Sequence, residues 1–90
     1  MLEDLFIIIE DRKENPQSGS YTAKLIDAGE DEILKKVGEE AMEVILAAKG
    51  QGDQRLIEEI ADLYYHSLVL LSSRNLNLSQ VLEELERRYR

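Results

Sequence analysis

Lys36-Val37-Gly38-Glu39-Glu40-Ala41-Met42-Glu43, then, beyond Gly50-Gln51-Gly52, Glu59-Ile60-Ala61-Asp62-Leu63-Tyr64-Tyr65-His66, is the stretch that decides the reading of this chain. Ile33, Leu34, Val37, Ala41, Val44, Ile45 and Ala48 keep a helical period up to Lys49. Leu56, Ile57, Ile60, Ala61, Leu63, Tyr64, Leu68, Val69, Leu70 and Leu71 do so after the turn, to about Ser73. Residues three apart share one face of a helix. Glu40 with Glu43, and Glu59 with Asp62, therefore set paired carboxylates into helices whose neighbours want burial. Gathering like charges there is costly unless a cation compensates. A hard divalent metal with oxygen ligands from facing helices is the most economical explanation.

The turn adds registration. It is short enough to make the two helices antiparallel neighbours. Counted from Gln51, Glu43 and Glu59 are each eight residues away, and Glu40 and Asp62 each eleven. The two motifs are expected to face each other as one four-carboxylate site. The competing reading is two ordinary solvated acidic faces.

Outward from this hairpin the rest also reads as helix. Leu2, Leu5, Phe6 and Ile9 give a first helix near residues 2–13, closed by the Asn15-Pro16-Gln17-Ser18-Gly19 loop. Ser20 caps a short helix through Ala28, which Gly29 ends. Glu30-Asp31-Glu32 places acid at the next helix start, where the macrodipole favours it, and Asp53 is placed to cap the fourth helix. A last helix with Val81, Leu82 and Leu85 is expected to start from Ser79 as cap and ends in Arg87-Arg88-Tyr89-Arg90. The prediction is an all-α bundle of about five helices around a central antiparallel pair, one domain over residues 1–90. The fourth helix is apolar on nearly all sides, which calls for burial on nearly all sides. In 90 residues that predicts completion by dimerisation.

Composition narrows the function classes. A net charge of −8 argues against a nucleic-acid backbone binder. The absence of cysteine removes disulfides and thiolate metal sites. No basic leader and no apolar run long enough to span a bilayer are seen, so an intracellular, cytoplasmic chain without a membrane partner is expected.

Other residues fit a phosphorylated substrate. Lys36, one turn before Glu40, could hold a phosphate, although a simple surface pairing would also account for it. Arg12 and Lys13 precede the proline loop and could reach an anion. Ser20, Tyr21 and Thr22 at a helix start offer hydroxyl and N–H groups to a phosphate; capping alone would explain Ser20. His66, on the acidic side of its helix, suits a hydrogen-bonded core position better than a ligand. Gly38, costly in mid-helix, is expected to allow a close packing approach.

Ser20-Tyr21-Thr22-Ala23-Lys24-Leu25, the Lys36 to Glu43 motif and the Glu59 to His66 motif together resemble the phosphoribosyl-ATP pyrophosphohydrolase family of histidine biosynthesis. The resemblance runs from about Leu5 to Arg87. The two acidic motifs alone are shared with the wider all-α nucleoside triphosphate pyrophosphatases; the flanking segments narrow the match. It implies hydrolysis of the α–β phosphoanhydride of phosphoribosyl-ATP to phosphoribosyl-AMP and pyrophosphate. It also implies Mg²⁺ held by Glu40, Glu43, Glu59 and Asp62. Glu39, with Glu40, is then the catalytic candidate, orienting or deprotonating water, and Arg12, Lys13, Ser20, Tyr21, Thr22 and Lys36 contact substrate. A homodimer or higher homo-oligomer is expected. The alternatives are a house-cleaning dNTP pyrophosphatase, a carboxylate-bridged di-iron bundle, and a non-enzymatic helical dimerisation module. The di-iron bundle suits the spacing poorly, because such sites use Glu-x-x-His and His66 is displaced by one turn.

Overall fold

The computed structural model describes all residues, 1–90, and contains five helices and no strand. They are α1 (Leu2–Glu14), α2 (Tyr21–Ala28), α3 (Glu30–Gly50), α4 (Asp53–Ser73) and α5 (Leu78–Tyr89). The expected all-α class is the observed one.

The α3–α4 hairpin forms the most extensive helix pairing, and α1 and α2 lie across it. Its reversal is compressed into Gln51 and Gly52. Gly52 adopts φ 92°, a backbone open to glycine and strained for other residues. Asp53 is the first residue of α4 and makes no side-chain cap; the N-cap is Gly52, because α4 begins directly out of the turn. Gly29, with φ 103°, ends α2 and starts α3 in one residue. Ser20 does cap α2, its Oγ accepting from the Ala23 N–H at 3.2 Å.

The cap of α5 lies two residues earlier than Ser79. Asn77 Oδ1 accepts the Ser79 N–H at 2.9 Å, and the Gln80 side chain accepts the Asn77 N–H at 2.8 Å. This reciprocal pair satisfies two otherwise orphaned donors, which a serine at 79 alone would not do.

The core is small. Phe6 and Ile9 of α1, Leu25 of α2, Ile33 of α3, Leu68 and Val69 of α4 and Leu78 of α5 form one buried cluster. A polar tie reinforces it: fully buried Ser72 donates through Oγ to Glu10 Oε2 at 2.8 Å, and Lys13 Nζ donates to the Ser72 carbonyl at 2.8 Å. Only 11 of 90 residues are buried, and Ile45, Leu46, Ile57, Tyr64, Val81 and Leu85 stay exposed. The radius of gyration, 14.0 Å, exceeds the roughly 12 Å of a compact chain this long. No helix is long and apolar enough to cross a membrane. Gly38 differs from expectation: a Cβ there would meet nothing within 4 Å, so no close approach within the chain requires it.

Candidate active site

The paired acids converge on one face of the α3–α4 hairpin. Single carboxylate oxygens of Glu40, Glu59 and Asp62 all lie within 4.8 Å of one another. They line a cleft of about 580 Å³ together with Lys36, Glu39, Glu43 and Arg55. Across the hairpin, Glu40 meets Asp62 as counting from the turn predicts, and Glu59 joins them from one turn nearer the reversal. Glu43 lines the same cleft but stands outside the three-carboxylate cluster. The turn-ward end is shared with Arg55, whose guanidinium pairs with Glu59 and also bonds Glu58 at 2.9 Å. Hydrogen bonding to Glu58, then the charge of Glu59 and, more weakly, that of Glu43, hold Arg55 above its ordinary pKa.

Glu59 is the unusual member. Its side chain is almost wholly covered although it forms the floor of an open cleft. That covering first, then Glu40 and Asp62, push its carboxyl above the ordinary range, against the opposing pull of Arg55. Three carboxylates and one paired guanidinium leave the cluster short of positive charge. Its oxygen donors, with no soft ligand among them, suit a hard cation such as Mg²⁺. Lys36 stands beside the cluster, 3.6 Å from Glu39. The Tyr21 oxygen first, then Glu39 and Glu40, hold it above the usual lysine value, with burial opposing them. Glu39 is half-exposed, with its other side open to the cleft.

Behind this face His66 is buried. Its Nδ1 lies 2.8 Å from the Asp62 carbonyl and its Nε2 3.0 Å from the Tyr21 hydroxyl. Thr22 Oγ1 pairs with the Tyr65 hydroxyl. The core role expected of His66 is therefore hydrogen-bonded on both nitrogens, and the helix bearing Tyr21 and Thr22 is held close to the acidic cluster.

The family model for phosphoribosyl-ATP pyrophosphohydrolase matches residues 2–89. This chain belongs to that family. A phosphoribosyl-ATP pyrophosphatase of Listeria welshimeri is 57% identical over 88 residues, covering 98% of this chain and 84% of that one. One from Clostridium botulinum is 51% identical over 88 residues, covering 98% and 80%. The histidine biosynthesis bifunctional protein HisIE of Caldanaerobacter subterraneus is 48% identical over 90 residues, 44% of its length. The resemblance read from three short segments thus extends over residues 2–89 of the chain, which is a member of a hydrolase family.

Within that family frame, the expected substrate residues fall in two places. Lys36 is in the acidic cleft and Tyr21 in a smaller cleft beside it. Ser20 is committed to its cap and Thr22 to Tyr65. Arg12 and Lys13 are not brought to the cleft. Arg12 pairs with Asp11 at 2.8 Å, and Lys13 caps the carbonyl end of α4 while bonding Asn75 at 3.2 Å. Ser72 lies ten residues along α4 from Asp62, about 15 Å at the helical rise. Arg55 is the cleft residue that sequence reasoning missed. Its signal was its place four residues before Glu59, on the same helix face.

Proposed function

We propose that this chain hydrolyses phosphoribosyl-ATP at its α–β phosphoanhydride, using Mg²⁺ and releasing pyrophosphate and phosphoribosyl-AMP. The observation that carries the reading is the convergence of Glu40, Glu59 and Asp62 within 4.8 Å, on a scaffold matched almost end to end by the family model.

Glu40, Glu59 and Asp62 would hold the ion, with Glu43 reaching it directly or through water. A bound Mg²⁺ neutralises phosphate oxygens and acidifies a water ligand. Glu39, at the open side of the cleft, is placed to orient an attacking water or accept its proton. Lys36 supplies a positive charge for phosphate oxygens from the opposite end of the acidic row. Arg55, which lines the turn-ward end of the cleft, would be placed to face the leaving pyrophosphate if a cation relieved its pairing with Glu59. In-line attack then needs little else from the protein than fixed positions and compensated charge.

The exposed apolar residues of α3, α4 and α5 and the thin core support a homodimer in which a second copy covers these faces. The decisive experiment measures pyrophosphate release from phosphoribosyl-ATP with Mg²⁺ and with excess chelator. Release that stops with chelator is expected. Release of single phosphate, or preference for a dNTP over phosphoribosyl-ATP, would overturn the reading.

A further inference from the structure

A second cleft, of about 310 Å³, opens between α2 and α3. Tyr21 and Lys24 line it from α2, and Glu32 and Lys36 from α3. Lys36 also lines the acidic cleft, so the two clefts share a wall. Their chemistry is opposite. Here two ammonium groups and a phenol face a single carboxylate, in a chain of net charge −8.

Tyr21 is not a loose surface ring. The Asp62 carbonyl can only accept, so His66 Nδ1 carries the hydrogen and, in the neutral imidazole, Nε2 accepts from the Tyr21 hydroxyl. The two rings meet edge to face at 6.0 Å, and Tyr65 completes a three-ring cluster, 5.0 Å from His66 and 6.2 Å from Tyr21. Thr22 pairs with Tyr65, so two consecutive residues of α2 are latched to two consecutive residues of α4. His66 is buried with both ring nitrogens partnered, and it anchors the half-exposed Tyr21; polar networks with every partner satisfied are rigid. The chain from the Asp62 carbonyl through His66 to Tyr21 therefore fixes the wall of the second cleft relative to the acidic cluster.

Resting on the activity proposed above, the substrate has two anionic ends. A triphosphate lies at one, and a ribose bearing a monophosphate lies at the other, on the far side of the purine. The carboxylate cleft suits only the end that arrives with a cation. We infer that the α2–α3 cleft receives the phosphoribosyl end, and that His66 is a positioning residue that holds Tyr21 in the wall of that cleft. Lys24 faces the monophosphate, Lys36 stands between it and the phosphates of the acidic cleft, and Glu32 accepts from the ribose hydroxyls.

The test compares affinities for the product phosphoribosyl-AMP and for AMP, which lacks only the second ribose phosphate, by titration calorimetry. The wild type is expected to bind phosphoribosyl-AMP about tenfold more tightly, the scale of one charged hydrogen bond. Lys24→Ala should reduce that ratio towards one with AMP affinity unchanged, and Lys24→Arg should restore it. Tyr21→Phe and His66→Asn should each raise KM for phosphoribosyl-ATP more than they lower kcat, and the double variant should be no worse than either. Equal wild-type affinities, a ratio untouched by Lys24→Ala, or additive losses in the Tyr21–His66 pair would overturn the inference. A wild type that binds both nucleotides yet releases no pyrophosphate would refute the activity instead.

Discussion

Arg55 lies one helical turn before Glu59 and places its guanidinium on the one carboxylate of the cluster that is covered from solvent. The pairing is half-finished compensation: it answers Glu59 and leaves Glu40 and Asp62 to repel one another. A divalent cation would answer all three, and would compete with Arg55 for Glu59. Arg55→Gln is therefore expected to lower the melting temperature without Mg²⁺ and to enlarge the Mg²⁺-induced rise. Thermal melts with and without the ion check this; an unchanged Mg²⁺ shift would mean that Arg55 and the ion do not meet at Glu59.

The raised pKa of Glu59 gives a pH dependence of definite sign. A carboxyl that holds its proton more tightly folded than unfolded contributes stability below its ordinary value, about pH 4. That contribution disappears as pH rises through the elevated folded value. Between those limits the wild type without Mg²⁺ should lose stability relative to Glu59→Gln. The Mg²⁺-induced shift should grow over the same interval, because ion and proton compete for one carboxylate. Melting curves for both proteins across the acidic range measure it. A wild-type-minus-variant difference that stays flat, or rises with pH, would show that Glu59 is not under charge stress.

Glu40 is the only member of the cluster contributed by α3, facing two carboxylates from α4. Replacing it with Gln keeps shape and removes the charge that bridges the helices. Turnover of phosphoribosyl-ATP should fall about a hundredfold or more, since even outer-shell partners of metal sites cost 10–100-fold. Glu43→Gln, outside the cluster, should cost less. A reversed order, measured as kcat/KM at saturating Mg²⁺, would place the ion nearer the turn than Glu40.

Ser72 tests the scaffold apart from the chemistry. Its hydroxyl is wholly buried and bonds Glu10, and Lys13 bonds its carbonyl, so α1 is tied to the end of α4 far from the cleft. Against the cost of partial burial, Lys13 and Ser72 hold the Glu10 carboxyl below its usual value. By the same linkage, this group stabilises the fold above about pH 4 and loses that contribution as pH falls through its lowered value. Ser72→Ala should cost about 1 kcal/mol, roughly 4–8 °C in melting temperature, and leave kcat unchanged at temperatures where the variant is folded. A fall in kcat would couple this end of α4 to the cleft.

The hairpin and its acids were legible because helical period, a two-glycine turn and equal counts along the chain are all local quantities. Glu40 opposite Asp62 follows from them directly. The place of Glu43 outside the cluster does not, and neither does that of Arg55 inside the cleft, because a surface i,i+4 pair looks the same in sequence as one at a cleft. Arg12 and Lys13 illustrate the reverse. Cations at a helix end suit a phosphate or a neighbouring helix carbonyl equally well, and only the packing of α1 on α4 chooses. The Tyr21–His66 bond joins residues 45 apart, with no periodicity to announce it.

The thin core makes a last prediction. Val81, Leu82 and Leu85 of α5 and Tyr64, Leu68 and Leu71 of α4 line a groove of about 430 Å³ whose lining is almost entirely apolar. Val81, Leu85 and Tyr64 are exposed in the protomer, and α5 is the helix least tied to the others. Leaving such a groove open to water forfeits about 25 cal/mol for every Å² of apolar surface that association could bury. A second copy, carrying the same groove, can cover it about a two-fold axis, where each face is its own complement. Sedimentation equilibrium should give a dimer for the wild type and a monomer for the Val81→Asp, Leu85→Asp double variant. Circular dichroism of that variant should keep its helical signal while its melting temperature becomes independent of concentration. A wild type that sediments as a monomer would leave the groove without its partner and end the dimer proposal; a double variant that stays dimeric would move the interface to Ile45, Leu46 and Ile57 on the α3–α4 hairpin.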